Sequence, residues 1–265
     1  MRRTDTLLVL VVGAFALFVG AKVLERRPWT HIATRASTES AARSLTQGST
    51  TTALSARSRP TADVVRRNAG GVAPVPNLDE LRTRVAAASD SYMADMLAAD
   101  SEIVRWPDRR ERGLRVWVQS TSTVQNWDIR YAQMARDAFA EWSDGLPARL
   151  DFVIDSASAD VQVIWVERFP AEDGQRVGAT KRTNDRSGWL VAAEIAIAVH
   201  DSTGEAIPPS DLTAVVRHEA GHALGLGHSK DPHTKMFPVE ITHEITPADR
   251  ATLRLLYGLT PGSVR

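Results

Sequence analysis

The chain has 265 residues, with 32 basic and 32 acidic side chains, so its formal net charge is zero. This balance gives no overall positive field and predicts no nucleic-acid partner. The chain contains no cysteine, which excludes disulfides, so a folded domain must be stabilised by an apolar core.

Residues 1–27 resemble an export signal. Arg2 and Arg3 precede an apolar run over residues 7–21, followed by Lys22. The run is shorter than the ~20 residues of a typical membrane span and fits a signal peptide. Extended to Leu24 it would serve as a membrane anchor, and the weak small-residue cleavage signal slightly favours that alternative. Both interpretations predict a location outside the cytoplasm, either membrane-anchored or secreted.

Two further segments precede the main domain. Residues 28–76 are rich in Ser, Thr, Ala and Arg, a composition that predicts a disordered linker. Residues 77–100 predict one amphipathic helix capped by Asn77, which is either a propeptide-like segment or a helix packed on the following domain. Its apolar side consists of Leu81, Val85, Tyr92, Met93, Met96 and Leu97.

Residues 101–265 alternate strand and helix patterns and predict an α+β domain. Strand patterns occur at Leu114, Val116 and Val118, at Leu150, Phe152 and Ile154, and over residues 161–166 and 189–199. A helical pattern covers residues 128–142. A capping box at Thr246, followed by Pro247, predicts a last helix that ends at Gly258.

The most informative pattern is H-E-x-x-H-x-x-G-x-x-H, formed by His218, Glu219, His222, Gly225 and His228. On a helix, residues i and i+4 share a face, so His218 and His222 can bind one ion. We expect this helix to begin near Ser210 or Asp211, after two prolines. Gly225 tolerates positive φ and can end the helix, which lets His228 approach from another side.

This donor set predicts a catalytic zinc site. Three histidines leave one coordination position open, unlike the four protein ligands of structural zinc. Zinc there lowers the pKa of water toward ~7, and Glu219 can act as the general base.

The extended motif resembles the metzincin zinc endopeptidases. Met236, eight residues after His228, resembles the Met-turn methionine that lies beneath the zinc ligands in that clan. The residues after His228, the MFP sequence and the ending ITPADRATLRLLYG are similar to the matrixins, the branch that contains the matrix metalloproteinases and bacterial relatives. RWP at residues 105–107, AFAEW at 138–142 and ADVQVIW at 159–165 agree with this resemblance.

The resemblance implies a metzincin fold over residues 101–265, with a twisted, mixed five-stranded sheet and three main helices. It also implies an extended peptide substrate along an edge strand near residues 177–181. We expect neither a cysteine switch nor a second zinc, because the chain has no Cys and residues 166–209 contain one histidine, His200. Calcium near Asp173, Asp185 or Asp201 is a further candidate.

These observations predict a zinc-dependent endopeptidase with a peptide or protein substrate. Two alternatives stay open from the sequence. One is a zinc-binding module without catalytic activity, and the other is a protease limited to its own chain or to one membrane partner. The oligomeric state and the preferred cleavage site are not encoded in any readable motif.

Overall fold

The computed structural model describes residues 77–108, 112–239 and 242–264. The predicted signal or anchor segment (1–27) and linker (28–76) lie outside the described residues. Within the described part of the chain, no helix is both long enough and apolar enough to cross a membrane.

The described residues form five α-helices and seven strands. In chain order they are α1 (Leu78–Ala87), α2 (Met93–Ala99), β1 (Glu102–Ile103), β2 (Leu114–Val118), α3 (Arg130–Ala140), β3 (Leu150–Val153), β4 (Val161–Val166), β5 (Gly178–Asn184), β6 (Leu190–Ala198), α4 (Pro209–Ala223), α5 (Pro247–Gly258) and β7 (Gly262–Ser263).

Five strands form one mixed sheet in the order β3-β2-β4-β6-β5. The neighbours among β3, β2, β4 and β6 are parallel, whereas β5 is antiparallel to β6 and lies at one edge. A separate two-stranded antiparallel pair joins β1 to β7. The predicted α+β class, the mixed five-stranded sheet and its three main helices α3, α4 and α5 are confirmed.

The core lies between the sheet and the helices. Alternate residues of β2 and β4 are buried, and for β2 this is the alternation that the sequence predicts. α4 packs against α3 and against strands β5 and β6, and nine of its residues are buried. This packing fixes α4 beneath the antiparallel edge of the sheet.

Residues 77–99 do not form the single helix that the sequence predicts. Asn77 caps α1 by accepting hydrogen bonds from the amides of Asp79 and Glu80, but α1 ends at Ala87 and α2 begins at Met93. The break has a tertiary cause, because the Tyr92 amide donates to Thr252 Oγ1 of α5 at 3.0 Å instead of to a helical carbonyl.

The helix pair α1–α2 packs on the rest of the domain. Arg84 donates to the Gly258 carbonyl at 2.6 Å, and Tyr92 Oη donates to Asp249 at 3.1 Å. An ion pair of 3.1 Å joins Asp95 to Lys230, two residues after His228. α1 and α2 therefore pack on the following domain, and the propeptide-like role of this segment stays a prediction.

The start of α4 differs by one or two residues from the prediction. The helix begins at Pro209, with Pro208 in the capping position and no side-chain cap. A proline is tolerated at the first helical position because its missing N–H would have no partner there. Both predicted limits of α5 are confirmed, with the reciprocal capping box of Thr246 and Asp249 at its start and Gly258 at its end.

Candidate active site

The C-terminal half of α4 carries His218, Glu219 and His222, and a Schellman motif ends the helix. The Leu226 amide donates to the Gly221 carbonyl and the Gly225 amide to the His222 carbonyl, both at 3.0 Å. Gly225 has φ +109°, a conformation that glycine accepts readily. This reversal returns the chain so that His228 faces the two histidines of the helix.

The three imidazoles converge. Each of His218, His222 and His228 has one ring nitrogen that lies within 4.8 Å of the corresponding atoms of the other two. The Nε2 atoms of His222 and His228 are 3.2 Å apart. Tetrahedral zinc with Zn–N bonds of about 2.05 Å separates its nitrogen ligands by about 3.3 Å, so the residues fit zinc. Among the described residues, this cluster contains no fourth His, Asp or Glu ligand.

Backbone carbonyls orient two of the rings. His218 Nδ1 lies 2.9 Å from the Lys235 carbonyl, and His222 Nδ1 lies 2.9 Å from the Leu226 carbonyl. Because a carbonyl only accepts, Nδ1 carries the proton in each case and the Nε2 lone pair stays available for a metal. These two carbonyls therefore fix both the tautomer and the direction of each ring.

Burial keeps the helical histidines neutral. It lowers the pKa of His218 to about 4, from an ordinary value of 6.5. Burial, together with the neighbouring His218 and His228, also holds the pKa of His222 well below its ordinary range. A neutral imidazole is the form that binds zinc, so at pH 7 no proton needs to leave either ring.

Met236 lies in the turn beneath the triad. Its side chain is fully buried, and it packs so closely on Gly221 that a Cβ at Gly221 would overlap the Met236 sulfur. The Met236 carbonyl accepts from the Ser229 amide at 2.9 Å, which ties the turn to the residue after His228. Met236 therefore packs on α4 between His218 and His222, and its role as the Met-turn residue stays a prediction.

Asp249 of α5 holds this turn from below, and the sequence reasoning assigned it only a capping role. Its buried carboxylate accepts hydrogen bonds from the amides of Lys235 (2.9 Å), Met236 (3.3 Å) and Thr246 (2.8 Å), and from the hydroxyls of Thr246 (2.6 Å) and Tyr92 (3.1 Å). The carbonyl of Lys235 in turn orients His218. Asp249 is therefore connected to the triad through one peptide unit.

Two aromatic residues close the C-terminal end of α4, and the sequence reasoning gave them no role. The Trp106 indole donates to the Ala223 carbonyl at 2.8 Å, and Tyr257 Oη donates to the Leu224 carbonyl at 3.0 Å. The last carbonyls of a helix have no partner within the helix, so these bonds satisfy them.

Glu219 lies beside the triad but is not part of the histidine cluster. The residue is 7% exposed, and its Oε2 accepts a hydrogen bond of 2.6 Å from Thr180 Oγ1 on β5. A carboxylate beside a metal site can act as a general base, which makes Glu219 a candidate for that role. Thr180 lies 39 residues away in sequence, and no local pattern indicates this contact.

Two of the three carboxylates considered for calcium, Asp185 and Asp201, have other partners. Asp185 accepts from the amides of Ser187 and Trp189, and Asp201 accepts from Thr203 and Glu205 within its own turn. These bonds give both residues a structural role in their own turns. Calcium binding stays a prediction.

Comparison with known proteins agrees with this geometry. Residues 106–258, more than half of the chain, match the matrixin family model. The chain is 32% identical over 137 residues to Metalloendoproteinase 1-MMP of Arabidopsis thaliana, a match that covers 48% of this chain and 37% of that protein. It is 27% identical over 147 residues to the macrophage metalloelastase of Oryctolagus cuniculus (52% and 31%).

A third relative is the probable matrix metalloproteinase 095L of Invertebrate iridescent virus 3, which is 26% identical over 167 residues, or 56% of this chain and 42% of that protein. The matches thus span about a third to two fifths of the length of these relatives. The family match covers the whole stretch from Trp106 through the histidine triad to the end of α5. The chain therefore belongs to the matrixin family.

Proposed function

We propose that this protein is a zinc-dependent endopeptidase that hydrolyses peptide bonds, with His218, His222 and His228 as zinc ligands and Glu219 as general base. The observation that carries the proposal is the convergence of three imidazoles beside a buried carboxylate that is not part of their cluster. When bound, zinc polarises a carbonyl and makes water more acidic.

Glu219 moves the proton. During attack, the oxygen of water bonds to the scissile carbonyl carbon, and Glu219 accepts one proton from that water. The carboxyl group then donates this proton to the departing amine nitrogen as the C–N bond breaks. The same residue thus serves first as base and then as acid, which requires a carboxylate held close to the reaction without being a ligand.

The edge strand β5 suits an extended substrate. It bonds to β6 on one side and is the last strand in the sheet order, so its other side can pair with a peptide main chain. α4 packs against this strand, which sets the triad close to the peptide that would lie there. We propose residues 177–181 as the segment that pairs with the substrate, and Gly178 to Lys181 lie in β5.

The N-terminal segment 1–27 supports a location outside the cytoplasm, as a membrane-anchored or a secreted protein, with residues 28–76 as linker and 101–265 as the catalytic domain. Relatives named as metalloendoproteinases agree with a peptidase activity.

The test uses the full chain loaded with zinc and a diverse peptide pool, read by mass spectrometry with and without a chelator. Glu219→Gln preserves the shape of the side chain but cannot accept the proton, so kcat should fall about 10²- to 10⁴-fold while one zinc per chain is retained. Glu194→Gln, an exposed carboxylate on β6, is the matched control and should keep parental activity.

Three outcomes separate the alternatives. A parent that binds zinc and cleaves no peptide supports the silent zinc module. Cleavage confined to its own chain supports the self-processing protease. If Glu219→Gln turns over peptides at the parental rate, the assignment of the general base is wrong.

A further inference from the structure

We propose that Thr180 is a positioning residue that holds the Glu219 carboxylate in its working orientation, an inference that rests on the proposed function of Glu219. Thr180 lies in the middle of the edge strand β5, and Glu219 lies on α4. No motif in the sequence connects the two positions.

The contact is short and charge-assisted. Thr180 Oγ1 lies 2.6 Å from Glu219 Oε2 and 3.0 Å from the backbone carbonyl of the same residue. The hydroxyl has one proton, and the shorter distance indicates that it is donated to the carboxylate. Hydrogen bonds from a hydroxyl to a charged oxygen at 2.5–2.7 Å are among the strong ones in proteins.

Gly178 provides the second contact for the Glu219 carboxylate. Residues 178 and 180 point to the same face of β5, because side chains alternate along a strand. A Cβ at Gly178 would lie 2.7 Å from Glu219 Oε1 and 2.6 Å from Val215 Cγ1, so the missing side chain leaves the space that the carboxylate fills. One oxygen of Glu219 therefore faces the glycine and the other faces the threonine hydroxyl.

Thr180 and Gly178 together restrict the Glu219 side chain, which would otherwise rotate about three bonds. A bond to one oxygen and close packing at the other fix the plane of the carboxylate, so its remaining lone pairs keep one direction. Because β5 is also the proposed substrate strand, the same strand aligns both the peptide and the base. Positioning of this kind acts on turnover more than on substrate affinity.

The experiment compares Thr180→Val, Thr180→Ser and Thr180→Ala in the full zinc-loaded chain. Thr180→Val keeps the shape of the side chain but has no hydroxyl, and kcat should fall at least about tenfold with KM changed less than about twofold. Thr180→Ser keeps the donor and should restore most of kcat. Thr183→Val, an exposed threonine of the same strand, is the control and should keep parental kcat and KM.

The serine and alanine variants decide the question even if valine disturbs folding, since they differ by one oxygen atom. A serine variant that is at least about fivefold faster than alanine, at equal zinc content and equal melting temperature, supports the proposal. Equal kcat for serine and alanine, or a valine variant with parental kcat, overturns it. A parent without peptidase activity would instead refute the proposed function.

Discussion

Replacing Gly225 by alanine tests whether the turn after α4 builds the metal site. Gly225 has φ +109°, where an L side chain is strained by about 1–2 kcal/mol. A Cβ there would also lie 2.5 Å from the Val104 carbonyl oxygen and 3.1 Å from Leu256 Cδ2. The first of these atoms is backbone and cannot rotate away, so overpacking adds about 1–3 kcal/mol.

The two effects together predict a loss of about 2–5 kcal/mol in the free energy of unfolding. For a domain of this size, each kcal/mol lowers the melting temperature by about 2–4 °C, so Gly225→Ala should melt about 4–20 °C below the parent. Zinc affinity should fall as well, since the turn directs His228 toward the other ligands.

Gly174→Ala is the matched control. Gly174 also has positive φ, +71°, but no atom lies within 4 Å of a Cβ placed there. It therefore measures the backbone strain without the clash. Scanning calorimetry of both variants, with chelator and with zinc, checks the reasoning. A Gly225→Ala protein that melts no lower than Gly174→Ala would refute the steric argument.

Two further predictions concern the groups around the triad. Asp249→Asn puts an amide among five hydrogen-bond donors and should cost about 3 kcal/mol in the free energy of unfolding, measured with urea. The exposed Asp137→Asn should change this free energy by less than about 0.5 kcal/mol, and equal effects would contradict the role of Asp249 beneath the turn that contains Met236. The second prediction concerns the metal-free protein, in which the pKa of His218 is about 4, against an ordinary value of 6.5. Between these two pH values the unfolded state binds more protons than the folded state. Stability that is present above pH 6.5 is therefore lost as pH falls toward 4, by about 3 kcal/mol. Urea midpoints at pH 7 and pH 4.5 should therefore differ more for the parent than for His218→Gln, and an equal difference would refute this prediction.

The histidine site could be predicted from sequence because its geometry is local. His218 and His222 are one helical turn apart, and Gly225 fixes the reversal that brings His228 back. These relations depend on eleven consecutive residues and on general helix geometry. No distant contact needs to be known to infer that the three rings converge.

Contacts between residues that are far apart in sequence could not be predicted. The break between α1 and α2 depends on the bond from the Tyr92 amide to Thr252, 160 residues away. Periodicity reports only which residues share a face, so it favoured one continuous helix. The Thr180–Glu219 bond was hidden for the same reason, although the edge strand itself was expected.

The alternation of apolar residues along a strand also does not determine how exposed each of them is. The pattern at Leu150, Phe152 and Ile154 correctly predicts a strand, but β3 ends at Val153, so Ile154 lies just beyond it. Phe152 is 38% and Ile154 99% exposed. β3 lies at the edge of the sheet opposite β5, with one neighbour, so fewer elements cover it. A period of two predicts a strand, and the position of that strand in the sheet decides how much of its apolar side is buried.

Two residues close to the limits of the family match, Trp106 and Tyr257, bind the C-terminal end of α4. The match begins at Trp106 and ends at Gly258, directly after Tyr257. Trp106 and Tyr257 donate to the Ala223 and Leu224 carbonyls, the two that precede Gly225. The turn that positions His228 is thus held by side chains from both ends of the matched region. A segment that lacked Trp106 or Tyr257 would contain the H-E-x-x-H-x-x-G-x-x-H motif but leave one of those carbonyls without its donor, so the turn that positions His228 depends on residues far outside the motif.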